Sequence, residues 1–181
     1  MSTIDINQLN REQLNALIAK AKASSDSFLP PEETVKSVGD TYPVSASQQS
    51  VWLVSQDAIA SAAYNITVNL LITGDLNVVR LCKAFDQIVH RHVPLRTGYR
   101  FDPSIGRAQQ FLCEVAPMSL NAESFQDREE WHQSIVSQFG QTLDIGRGEV
   151  YRAHLAKFED QTHILSFEFH HIAFDGWSLG I

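Results

Sequence analysis

Apolar positions along the chain fall into runs that switch between helical and extended spacing. Leu14, Leu17, Ile18 and Ala21 recur at i, i+3, i+4 and i+7 behind a capping Asn10, which predicts a short amphipathic helix closing an N-terminal segment at 1–23. Ser, Asp, Gly and the Pro30-Pro31 pair then interrupt regular structure, so 24–41 reads as a flexible linker and the compact domain is expected over 42–181. Residues 46–56 predict a helix with Val51, Trp52 and Val54 toward the core, followed by the strand YNITVNLLI and a turn at Gly74-Asp75. Asn77 is placed to cap a helix whose stripe is Leu81, Phe85, Ile88 and Val89 and which ends by Pro94.

LRTGYRF and AQQFLCEV, separated by Asp102, Pro103, Ser104 and Gly106, predict a hairpin. Ser124 with Asp127 resembles a capping arrangement for a helix carrying Trp131, Ile135, Val136 and Phe139 and closing near Gly140. A turn from Asp144 to Gly148 leads into the strands VYRAHLAKF and THILSFEFHH. This order predicts an α+β fold, an α/β sandwich with a mixed sheet and flanking helices.

Composition narrows the function classes. With 44% hydrophobic residues and ten Phe in 181 residues, the chain can bury a core. A net charge of −7 argues against nucleic acid, whose phosphates need clustered Lys and Arg. No run reaches the roughly 18 apolar residues of a membrane span and the N-terminus has no leader pattern, so no membrane partner and a cytoplasmic location are expected. Cys82 and Cys113 lie far apart and match no metal spacing, which suits a reducing compartment.

Candidate chemistry concentrates in FEFHHIAFDGWSLG, Phe167 to Gly180. On a strand, alternation sends Leu165, Phe167, Phe169 and His171 to one face and Ser166, Glu168 and His170 to the other. The adjacent histidines therefore diverge and cannot easily share a metal; His90 and His92 diverge likewise, and no metal site is expected. Asp175 and Gly176 follow at a spacing that suggests a tight turn, although a histidine on an apolar strand face is also what a hydrogen-bonded core residue looks like. Gly176 to Gly180 further matches the G-x-S-x-G elbow of hydrolases, but no later acid and histidine are there to complete a triad, so Ser178 reads as a helix-start or packing residue.

His170 to Gly176, continued by Trp177-Ser178, resembles the HHxxxDG motif of nonribosomal peptide synthetase condensation domains. Arg91 to Tyr99 resembles the RHExLRTxF motif of that family and Ser45 to Trp52 its SxAQxRLW motif, in the same order. Ala63 to Ile66, Gly74 to Asn77, and Leu143 to Ile145 with Gly148 and Arg152 are similar to further family segments, so the resemblance covers about 42–181. Val93 stands where the family carries an acid, and Ser50 where it carries an arginine.

The resemblance implies one lobe of a chloramphenicol-acetyltransferase-like fold, the N-terminal lobe, with the C-terminal lobe absent and the fragment inactive alone. It implies amide formation between a donor acyl or peptidyl thioester and an aminoacyl acceptor. Both are carried on the phosphopantetheine arms of donor and acceptor carrier proteins, and no cofactor is bound directly. By the same resemblance His171 is the catalytic group, as base or as positioner of the amine. His170 is structural, Asp175 pairs with an arginine, in this lobe or in the absent one, to hold the loop, and Gly176 admits close approach of the reacting groups. Arg96 is expected to anchor backbone carbonyls. Two alternatives stand beside this reading: a CoA-dependent acyltransferase of the same superfamily, and a non-catalytic fragment whose N-terminal helix docks an upstream synthetase subunit.

Overall fold

The computed structural model describes residues 39–159 and 161–180. The chain divides into two compact units between Lys36 and Ser37, and the described residues belong to the second. The helix expected within 1–23 and nearly all of the expected linker lie outside them.

The described chain runs β1 (Thr41–Pro43), α1 (Ala46–Val54), α2 (Ala58–Ala62), β2 (Asn65–Thr73), α3 (Val78–Arg91), β3 (Thr97–Asp102), β4 (Arg107–Leu112), β5 (Ala122–Ser124), α4 (Arg128–Gln138), β6 (Tyr151–Lys157) and β7 (Thr162–His170). The described strands form the expected mixed sheet and a second, smaller sheet beside it. One has the order β1-β4-β3 and is antiparallel. The other, β2-β7-β6-β5, is mixed, because β5 joins β6 in parallel while the remaining pairs are antiparallel.

Strand β7 is central, paired with β2 on one side and β6 on the other, and both of its faces are buried. Its face with Leu165, Phe167 and Phe169 meets Phe85 and Val89 of α3, and Leu155 on β6 extends that core. Phe85 stacks on Phe167 at 4.7 Å and meets Tyr151 edge-on at 5.2 Å. Each such buried side chain contributes about 1.5–3 kcal/mol, so this face sets where α3 lies. The opposite face packs Ile164 with Ala156, Phe125 and Phe158, Trp131 of α4 lying against them. That face also buries Ser166, Glu168 and His170, each no more than 1% exposed; Glu168 and His170 find partners inside the fold, while Ser166 Oγ has none among the described residues.

The helix starts follow local chemistry. Asn77 caps α3 as expected, through Arg80 N–H. The cap of α4 is Asp127, which accepts from Glu130 N–H, whereas Ser124 belongs to β5 and caps nothing. The relevant signature was Asp127 with Glu130 three residues on, whose carboxylate reaches back to Gln126 N–H. Val54, Ile88 and Val136, expected in the core, face solvent. In β3, Gly98 lies opposite Phe111, and a Cβ there would come within 2.5 Å of the Phe111 ring.

Candidate active site

The site forms where β7 ends. His170 closes the strand and His171, Ile172 and Ala173 turn away from it, the turn being closed by Ala173 N–H donating to His170 O. His171 N–H still pairs with Tyr64 O at 2.9 Å, which continues the β2–β7 ladder by one bond. Both partners of the histidine pair are therefore fixed by backbone, and their side chains go opposite ways.

His170 is fully buried, and its ring is satisfied on both nitrogens. Ile172 N–H can only donate, so the Nδ1 it reaches at 3.2 Å is unprotonated and the hydrogen sits on Nε2. Nε2 lies 3.2 Å from both Ser55 Oγ and Ser61 Oγ; Ser55 Oγ donates its own hydrogen to Val51 O and is left as acceptor. Burial, with a smaller contribution from the neighbouring His171, pushes the His170 pKa down to about 4.

Linkage gives this a sign. The unfolded imidazole binds its proton near pH 6.5 and the folded one only near pH 4, so the stabilisation is complete above pH 6.5 and is lost as pH falls toward 4. The whole shift is worth on the order of 3 kcal/mol. Urea unfolding of the chain at pH 7, 5 and 4 should show the wild type losing that increment relative to His170→Asn. Parallel pH profiles for the two proteins would contradict the burial of a neutral imidazole.

His171 is exposed and lines an open cleft of about 450 Å³. The cleft wall also holds Ser45, Ser47 and Gln48 from the start of α1, and Asp175 and Ser178 from the segment after the turn. The Tyr64 ring lies 6.3 Å from the His171 ring on its flank. An apolar recess of about 280 Å³, lined by Phe85, Ile88, Leu95, Phe169 and Phe174, adjoins the cleft and shares Pro94, Ala173, Phe174 and Ser178 with it.

Asp175 has a local partner within this lobe. Among the described residues it forms no ion pair with an arginine; its Oδ1 accepts from Ser178 N–H at 3.0 Å and from Ser178 Oγ–H at 2.8 Å. These hydrogen bonds to Ser178 hold its carboxyl below the usual range, assisted by nearby His171. Asp175 thus caps the short turn Ser178–Gly180, and Ser178 is bound to a carboxylate, not to an imidazole as a hydrolase nucleophile would be. Nothing in the described chain comes within 4 Å of a Cβ built on Gly176, which stands on the open side.

Arg96 departs from expectation. It lines a separate cleft with Asp86, His90 and Cys113, and among the described residues its buried Nε has no hydrogen-bond partner and its side chain holds no backbone carbonyl. Among them Arg152 anchors carbonyls instead. Its two terminal nitrogens donate to Gln138 O, Gln141 O and Thr142 O at 2.9–3.1 Å, and its Nε pairs with the buried Glu168 at 3.0 Å. Ser50, at the family's arginine position, bonds only back to Ala46 O within its helix, and Val93, at the acid position, is exposed.

Two residues of the quoted motifs gained no role from the sequence. Gln48 and Tyr99 meet at the carbonyl of Ile172, next to His171. The available signal was Ser45-x-x-Gln48, a capping box, which the structure forms.

Comparison with known proteins identifies the family. Residues 38–181 match the model of the Condensation domain family. The chain is 34% identical over 170 residues to surfactin synthase subunit 1 of Bacillus subtilis (strain 168), covering 94% of this chain and 4% of that protein. It is 32% identical over 142 residues to gramicidin S synthase 2 of Brevibacillus brevis, covering 78% of this chain and 3% of that one. Its fold superimposes on the first condensation domain of the calcium-dependent antibiotic synthetase with a TM-score of 0.70 at 20% identity, over 79% of this chain and 36% of that one. The chain thus spans a small part of its curated relatives and about a third of that solved domain. With its matched segment running through the paired histidines at the end of β7, the chain belongs to the condensation-domain family of nonribosomal peptide synthetases.

Proposed function

We propose that this chain supplies one lobe of a domain that joins a carrier-bound acyl or peptidyl thioester to a carrier-bound aminoacyl acceptor, with His171 at the reacting amine. The observation that carries this reading is the opposite placement of the two histidines. One imidazole is sealed and neutral inside the lobe; the other stands in an open cleft at a strand end. The thioesters arrive on phosphopantetheine arms of donor and acceptor carrier proteins, and a second lobe closes the cleft into a channel. Reduced Cys82 and Cys113, both free thiols, suit a cytoplasmic setting.

The chemistry needs no covalent enzyme intermediate. The acceptor nitrogen attacks the thioester carbonyl carbon, the new C–N bond forms, and the C–S bond breaks with release of the donor thiol. A proton must leave the attacking nitrogen, and an imidazole within about 2.6–3.2 Å can accept that hydrogen bond. The developing oxyanion must be stabilised in the same channel as well. His170, Asp175 and Gly176 shape the loop and do not touch the reacting atoms.

The test is amide formation by the full-length protein from one donor-loaded and one acceptor-loaded carrier protein, read by mass spectrometry of the acceptor arm. A condensed product supports the reading. Product formed only when a free acyl-CoA replaces the loaded donor would assign the CoA-dependent acyltransferase activity instead, and no product from either donor would leave a non-catalytic lobe.

A further inference from the structure

Three segments distant in sequence meet at one carbonyl oxygen, Tyr99 doing so through a hydroxyl where the family motif carries Phe. Gln48 lies 51 positions from Tyr99 and 124 from Ile172, yet its carboxamide contacts both. We propose that Gln48, together with Tyr99, positions His171 by clamping the peptide group that follows Ile172. The proposal rests on the reading of His171 as the group at the reacting amine.

The hydrogen bonds fix the orientation of each participant. Ser45 N–H donates to Gln48 Oε1 at 3.0 Å, which sets the amide so that Nε2 points inward. Nε2 then donates to Tyr99 Oη at 3.3 Å and to Ile172 O at 3.4 Å. Tyr99 is 1% exposed and burial pushes its pKa far up, so its hydroxyl keeps its hydrogen and donates to the same Ile172 O at 3.4 Å. Ile172 N–H is held by His170 Nδ1, and its side chain is buried with Trp52 and Tyr99.

The peptide units on both sides of Ile172 are therefore tied down, and His171 N–H is tied to Tyr64 O. His171 hangs between these anchors with only its side-chain torsions free. Gln48 itself borders the cleft, so without its carboxamide solvent can compete for the Ile172 carbonyl. Small displacements of a reacting group cost rate steeply, and a misplacement of about 1 Å can cost 10²-fold. A lost clamp should therefore appear in the chemical step and not in carrier binding.

The experiment is single-turnover amide formation by the full-length protein carrying Gln48→Glu, which keeps the acceptor for Ser45 N–H but removes the Nε2 donor. The expected result is a fall of about tenfold or more in the rate at saturating carrier, with the half-saturating carrier concentration unchanged. Tyr99→Phe should fall several-fold, and the double variant no further than Gln48→Glu alone, because both act on one carbonyl. Asn77→Ala, which removes a cap at the start of α3, should unfold more easily and keep the wild-type rate. A folded Gln48→Glu protein at the wild-type rate, or effects of the two substitutions that multiply, would overturn the proposal. Where Gln48→Glu does not fold, Tyr99→Phe decides it by losing or keeping rate. If His171→Ala abolishes the reaction and Gln48→Glu does not slow it, only the clamp is wrong; if His171→Ala is fully active, the reading beneath it fails.

Discussion

Replacing His171 by alanine in the full-length protein should lower amide formation by about 10²–10⁴-fold, the range spanned by general acid–base and positioning groups. Stability should hardly change. The side chain is exposed and flanks one aromatic ring, Tyr64, and its backbone N–H, which carries the bond to Tyr64 O, survives the substitution. Exposed substitutions of this kind stay within about 0.5 kcal/mol. Alanine at His170 should do the reverse in its first effect. It leaves Ile172 N–H and the Ser61 hydroxyl without their ring partner in a buried place, and Ser55 without it in a part-buried one, so the fold suffers before the chemistry does. Thermal unfolding measured beside single-turnover rates separates the two: a His171→Ala protein that is destabilised but still fast would make that residue a packing group.

The largest stability loss is expected at Arg152→Leu, about 3–5 kcal/mol by urea unfolding. Glu168 is 1% exposed in the central strand, and its carboxylate is met by Arg152 Nε at 3.0 Å and Gly140 N–H at 2.6 Å. Without the guanidinium a charge stays buried with half of its compensation gone. The same substitution removes three donors to the carbonyls of Gln138, Gln141 and Thr142, so the segment between α4 and the turn Ile145–Arg147 keeps, beyond its sequence neighbours, only the hydrogen bonds from Asn65 to Gln141 O, from Thr142 to Ala58 O and from Gly140 to Glu168 among the described residues. Substituting Glu168 by Leu in the Arg152→Leu background should recover part of the loss, since a buried ion pair removed as a unit costs less than either half. A single Arg152→Leu effect below about 1 kcal/mol would mean that the pair is solvated and the loop held by other contacts.

What the sequence revealed of the fold follows what is local. Strand β7 was legible because its apolar residues alternate, and α3 because Phe85 and Val89 share a stripe behind a capping Asn77. Helix α2 spans five residues, less than two turns, and shows no period. Strand β5 is three exposed residues recognisable only by pairing with β6. Division into two sheets depends on pairings such as β2 with β7, about a hundred residues apart, which no window along the chain contains. Val54, Ile88 and Val136 sit at the edges of their helical stripes, where periodicity alone does not separate buried from exposed.

The site was legible to a similar depth. Alternation along β7 placed the histidines back to back, and that survives, with the correction that His171 lies one residue beyond the strand in the turn. The partners were not legible. Asp175 meets Ser178, three residues on, a bond the sequence reading did not include, and among the described residues Arg152 does the carbonyl anchoring expected of Arg96. An arginine's destination is set by which strands adjoin it in space, and both arginines lie near strand starts in the chain.

The most direct measurement is the structure of the full-length protein with an acceptor amine tethered through a phosphopantetheine analogue. The expected result is the amine nitrogen within about 2.6–3.2 Å of the His171 imidazole inside the cleft beside Gln48 and Ser178. An amine seated elsewhere, with His171 left facing solvent, would contradict it.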